Sequence, residues 1–140
     1  MTNKVLIVPA AAWLVAQMLK VLISLVKDKE LNLTYLVDMG RMPSAHATLV
    51  CSLATIVAKV HGLGSPVFAI ALFFALVVMY DAAGVRQTVS QQSAILNRML
   101  DELLKGHTEF EQRLREFIGH TKLEVVAGAL LGVSVALLWP

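Results

Sequence analysis

His46 and His120 each stand at the leading edge of a long apolar stretch, in Met42-Pro43-Ser44-Ala45-His46 and Gly119-His120-Thr121-Lys122-Leu123-Glu124. An imidazole at such a position lies where a membrane helix leaves lipid, and ionisable groups are rare there unless functional. Two of them suggest a catalytic pair. The chemistry they fit is metal-independent phosphate ester hydrolysis, which needs a nucleophile, an acid for the leaving group and cations around the phosphoryl oxygens. His120 can be the nucleophile. Glu124, one helical turn further on, would fix its tautomer and stabilise the imidazolium. His46 would give a proton to the departing alkoxide. Lys20, Arg86 and Arg41 would clamp the phosphate, the arginines bidentately. Ser44 and the backbone N–H groups that follow Pro43 add an anion site at a helix start. Asp81 is expected to pair with Arg86, because a nearby cation eases the burial of a carboxylate. His61 and His107 read as solvated loop residues, and Met18, Met79 and Met99 as packing residues.

The elements that must hold these residues are membrane helices. The 140 residues are 57% hydrophobic and 16% charged, with a mean hydropathy of +0.70. An average soluble domain is roughly 45–50% apolar and about 25% charged. The apolar residues also come in blocks. One membrane domain over 1–140 is therefore expected, all-α, a bundle of four transmembrane helices. A span needs about 20 mostly apolar residues, and the candidate spans are 5–26, 45–60, 66–84 and 123–139. The second is short and needs Ser44, Thr48, Ser52 and Thr55 to face protein. Pro66 suits a first helical turn, and Trp139 suits an interfacial anchor. The first span, interrupted by Lys20 and followed by no small-residue cleavage site, reads as a retained helix rather than a signal. Cys51 is the one cysteine, so it forms no internal disulfide, and it reads as a buried small residue.

Four spans place loop 27–44 and loop 85–122 on one side, with Lys27, Lys29, Arg41, Arg86, Arg98, Lys105, Arg113, Arg115 and Lys122. The other side has Lys4 and Lys59. Cytoplasmic loops collect lysine and arginine, so the basic side is expected to be cytoplasmic. Lys20, His46, Asp81, Arg86, His120 and Glu124 then all fall at that face, although they are scattered along the chain. The segment 85–118 is polar with apolar residues at helical spacing, which suits an amphipathic helix on the membrane or against another subunit. Gly106 and His107 should break it, with a short helix from about 109 to 117 beyond. Four short helices make a thin bundle, which leaves room for a homodimer or larger assembly. Basic residues form neither a run nor an aromatic-interleaved face, so no nucleic-acid partner is expected.

At these motifs a family resemblance is visible. Pro43-Ser44-Ala45-His46 resembles the Pro-Ser-Gly-His motif of the type 2 phosphatidic acid phosphatase and vanadium haloperoxidase superfamily, and His120 with Glu124 resembles its last motif. The chain is most similar to a small divergent branch of bacterial and plant membrane proteins. That branch carries Gly-Gly-Met-Pro-Ser-Ser-His, Tyr-Asp-Ala-Ala-Gly-Val-Arg and Gly-His-Thr-Pro-Leu-Glu-Val. The corresponding strings here run from Gly40 to His46, Tyr80 to Arg86 and Gly119 to Val125. The resemblance implies that His120 forms a phosphohistidine, that His46 protonates the leaving group and that no cofactor or metal is needed. It departs from the superfamily at two cations: Lys27 and Asp28 stand where an arginine and proline follow Lys20, and Leu114 holds a second arginine's place.

Two functional classes follow. The first is a lipid phosphate phosphatase acting on a phosphomonoester or pyrophosphate headgroup at the cytoplasmic face of a bacterial plasma membrane or a plastid membrane. Phosphatidylglycerophosphate, phosphatidic acid and polyprenyl pyrophosphate are candidate substrates. The alternative is a non-catalytic phospholipid or polyprenyl phosphate binder or transport protein.

Overall fold

Lipid offers a backbone no hydrogen-bond partner, so each apolar block of this chain satisfies its own amides as a helix. The computed structural model describes residues 3–28, 42–103 and 122–140. It contains α1 (Lys4–Asp28), α2 (Ala45–His61), α3 (Pro66–Ala83), α4 (Val85–Leu103) and α5 (Lys122–Leu138), with no strand among the described residues. All four apolar segments expected from the sequence are helical, with ends within two residues of those expected. The polar segment 85–118 is helical from Val85 to Leu103. Gly106, His107 and the short helix expected near 109–117 lie outside the described residues.

Local chemistry sets the helix ends. Ser44 caps α2, its Oγ accepting the Ala47 N–H at 3.3 Å, and so satisfies one of the amides that a helix start leaves unpaired. Gly62 closes α2 with a φ of +81°, a conformation that costs a side-chain-bearing residue and not glycine, and its N–H returns to Ala58 O at 3.0 Å. Three residues later Ser65 caps α3, accepting the Phe68 N–H at 3.2 Å. Pro66 occupies the first turn, as expected, where its missing N–H costs nothing.

α2 is the centre of the bundle, packed against α1, α3 and α5, while among the described residues α4 meets α3 alone. One apolar cluster joins Val50, Cys51, Ala54 and Val57 of α2 to Ala71 and Ala75 of α3, which places Cys51 in the interior. A second joins Val8, Ile56 and Ala136, with Trp139 packed on it. The second cluster unites the start of α1 with the ends of α2 and α5. α2 and α5 therefore run parallel, with α1 antiparallel to both.

Two helices are long and apolar enough to span a membrane, Lys4–Val26 and Pro66–Ala83, whereas Ala45–His61 and Leu123–Leu138 are shorter. Where four spans are expected the structure has four apolar helices, of which two have a spanning length. The 17 residues of α2 extend for about 25 Å, short of a hydrocarbon core of about 30 Å. This helix is enclosed by its neighbours, so it need not match the lipid by itself.

The distribution of polarity is inverted relative to a water-soluble domain. The interior holds Gln17, Lys20, Ser24, Ser44, Thr48 and Ser52, all buried. The outer faces hold Leu6, Leu14, Leu22, Ile70, Phe73, Val77 and Leu130, all exposed. Lipid does not drive apolar groups inward, so such a bundle holds together by close packing and interhelical hydrogen bonds. Two of the methionines expected to pack do not do so: Met18 and Met99 are 65% and 54% exposed. Met18 sits on an outward face of α1, and Met99 on an exposed face of α4, which among the described residues meets α3 alone. Met79 is half-buried, 3.5 Å from the Cys51 sulfur.

Candidate functional site at one end of the bundle

Helix rise fixes which residues share a level. Lys20, Ser44 and Glu124 each stand twelve positions along their helix from Val8, Ile56 and Ala136, the three members of one cluster. Because α1 is antiparallel to the other two, all three displacements run the same way, by about 18 Å. A third cluster, Ala47, Ala82 and Val125, lies at that end. His46, Asp81 and Glu124 each immediately precede one of its members. Residues from four separate stretches of chain thus converge on one end of the bundle.

Lys20 is 3% exposed. It therefore lies within the bundle rather than along a lipid-facing stem, and an ammonium at such a depth is a mark of a functional position. Gln17 and Ser24, three and four residues away, share its buried face. His46, Asp81 and Glu124 are half-buried, so they border both the interior and its surroundings. Lys20, His46, Asp81 and Glu124 are all engaged by neighbours. Ser44 is fully buried, with its N–H donating to Glu124 O at 3.1 Å. That backbone bond ties the start of α2 to the start of α5, and so ties the helix carrying His46 to the one carrying Glu124. The start of α2 also directs N–H groups toward this end.

Arg86 is the second residue of α4, directly after the Gly84 junction with α3. Arg41 and His120 lie outside the described residues. His120 precedes the first residue of α5 by two positions in the chain. Among the described residues no three His, Cys, Asp or Glu side chains are grouped so as to hold a metal ion.

The small polar residues expected to face protein do so: Ser44, Thr48 and Ser52 are fully buried, and Thr55 is half-buried with its hydroxyl on Cys51 O. What motif reading did not identify is the surface they face. Gly128 and Gly132 of α5 lie directly on the α2 backbone. A Cβ at Gly128 would collide with Ser44 O, and one at Gly132 with Thr48 O. Thr48 Oγ1 lies 2.9 Å from Gly128 O. The signal was present as Gly128-Ala129-Leu130-Leu131-Gly132, a Gly-x-x-x-Gly pattern that marks close helix pairing in membranes.

At the opposite end, Lys59 Nζ donates to Ala136, Leu137 and Trp139 carbonyls at 3.3, 3.1 and 2.8 Å. Lys4 Nζ donates to Pro140 O at 2.7 Å. These lysines share one end, as the charge pattern expected; Lys59 caps carbonyls at the end of α5 and just beyond it, and Lys4 meets the residue that follows.

The fold and site define a membrane bundle, all-helical among the described residues, with an apolar exterior and with Lys20, His46, Asp81 and Glu124 gathered at one end. The chain belongs to the Divergent PAP2 family, whose model matches residues 1–135. It is 32% identical over 148 aligned positions to Uncharacterized membrane protein YuiD of Bacillus subtilis (strain 168), covering 98% of this chain and 94% of that one. No solved structure matches it.

Proposed function

We propose that the protein is a membrane-embedded phosphatase for lipid phosphates, working through a covalent phosphohistidine. The observation that carries this reading is the convergence of Lys20, His46, Asp81 and Glu124 at one end of the bundle, in a chain of the Divergent PAP2 family. His120 attacks phosphorus and the bond to the ester oxygen breaks. His46, entering as imidazolium, hands its proton to the departing alkoxide. Water then attacks the phosphohistidine, giving up a proton to the now neutral His46 and releasing phosphate, which restores both histidines. Glu124 holds the His120 imidazole in its reacting tautomer. Lys20, Arg86, Arg41 and the N–H groups at the start of α2 stabilise the phosphoryl oxygens. The site faces the cytoplasm, and the apolar exterior lets a lipid headgroup approach while its chains stay in the bilayer.

One observation favours a second reading. Lys27 and Leu114 stand where the wider superfamily has arginines, which suits a phospholipid or polyprenyl phosphate binder without turnover. Phosphate release by purified protein separates the two. Phosphatidic acid, phosphatidylglycerophosphate and a polyprenyl pyrophosphate serve as substrates, with His120→Ala, vanadate and a chelator as controls. Release that survives the chelator, but not the mutation or vanadate, is expected, since vanadate resembles the transition state. Equal absence of release from wild type and mutant would refute the phosphatase.

A further inference from the structure

We infer that Thr48 is a positioning residue that sets the axial register of His46 against Glu124. The inference rests on the phosphatase reading. Ser44, Thr48 and Ser52 recur every four residues on α2, and Glu124, Gly128 and Gly132 recur every four on α5. The two rows form three successive rungs between parallel helices. The first is the Ser44 N–H donating to Glu124 O at 3.1 Å. In the second, the Thr48 hydroxyl stands 2.9 Å from both Ser44 O and Gly128 O. The third is the close approach of Gly132 to Thr48 O and Ser52 N.

Glycines allow two helices to approach but do not choose how far one slides along the other. A directional bond does. The Thr48 hydroxyl has one proton and two carbonyls within reach, one on its own helix and one on α5. It is a side-chain hydrogen bond that crosses between these helices near their starts. It lies two residues beyond His46 and a helical turn beyond the first rung. A slip of α5 along α2 would carry Glu124 away from the level of His46. Removing the Thr48 hydroxyl leaves Gly128 O its own helical partner, so the fold has little to lose. The loss falls on the alignment of the proton donor with the rest of the site.

The consequence is specific to the leaving group. An alkoxide needs the His46 proton, whereas nitrophenolate departs without one, so the contrast lies in the first step; the later attack of water on the phosphohistidine uses His46 with either substrate. Hydrolysis of phosphatidic acid in mixed micelles and of p-nitrophenyl phosphate is measured for wild type, Thr48→Val, Thr48→Ser and His46→Ala, alongside thermal unfolding. General acid catalysis contributes roughly 10²–10⁴-fold. Thr48→Val is expected to lose about 10- to 100-fold of kcat on phosphatidic acid at a KM within about twofold of wild type, with kcat/KM on p-nitrophenyl phosphate, which reports steps only through nitrophenolate departure, also within about twofold. Thr48→Ser restores the loss, and His46→Ala shows the same selectivity more strongly. Equal loss on both substrates, loss confined to KM, full activity of Thr48→Val, or failure of Thr48→Ser to restore it would overturn the inference while leaving the phosphatase intact. A wild type inert toward every lipid phosphate would instead overturn the phosphatase reading itself.

Discussion

Replacing Gly132 by alanine tests the apposition of α2 and α5. The added Cβ would meet Thr48 O well inside van der Waals contact, with Ser52 N at 3.0 Å. Both are backbone atoms, which cannot rotate aside, so α5 must move away from α2. Overpacking of this kind costs about 1–3 kcal/mol. The move also stretches the bonds from Thr48 Oγ1 to Gly128 O and from Ser44 N to Glu124 O, both already at 2.9–3.1 Å. A lost hydrogen bond is worth about 0.5–1.5 kcal/mol. Allowing for partial loss of each, the sum is about 2–4 kcal/mol. For a chain of this size, each kcal/mol lowers Tm by about 3–4 °C. The assay is thermal unfolding in detergent, followed by circular dichroism, with Gly64→Ala as the control, since a Cβ there meets nothing within 4 Å. Gly132→Ala is expected to melt about 6–16 °C below wild type, and Gly64→Ala within about 2 °C of it. Coincident melting of all three proteins would refute the close helix pair.

Lys59→Met removes three hydrogen bonds, to the Ala136 and Leu137 carbonyls at the end of α5 and to the Trp139 carbonyl just beyond it. It should lower stability by about 1 kcal/mol, discounted for its exposed position, whereas Lys59→Arg should retain most of it; thermal unfolding checks both. Ser44→Ala deletes the acceptor for the Ala47 N–H and should cost about 1 kcal/mol in the same measurement. Lys20→Met replaces a buried cation with an apolar chain of similar length. Stability should fall, because Lys20 is buried and engaged by neighbours, and removing it leaves their buried polar groups unsatisfied. KM for phosphatidic acid should rise at least tenfold, a loss of about 1.4 kcal/mol of binding. An unchanged KM would show that Lys20 does not meet the phosphate.

Much of this protein is legible without coordinates. Block hydrophobicity determines the four apolar helices, because a backbone in lipid has no other way to satisfy its amides. Ser44, Gly62, Ser65 and Pro66 mark helix ends through chemistry that is local to a few residues. The three motifs carry family membership, now borne out over residues 1–135, and with it the expectation for His46, His120 and Glu124. Short polar side chains inside an apolar segment had to face protein, and they do.

What the tertiary structure decided is which faces meet, and how closely. Composition cannot say that Lys20 is buried rather than turned toward the interface, because a flexible four-carbon stem permits either. It does not show that Met18 and Met99 point outward. Nor does it assign Lys59 to the end of α5, 77–80 positions away in the chain. The α2–α5 ladder is the clearest case. Gly128 and Gly132 mark a close approach, but a glycine lacks any group that names its partner. Only when Ser44, Thr48 and Ser52 are set against Glu124, Gly128 and Gly132 does one pattern explain the other. The sequence by itself determines the helices, because those hydrogen bonds are local. Their pairing was decided by shape and by directional bonds between segments far apart in the chain, which no local pattern contains.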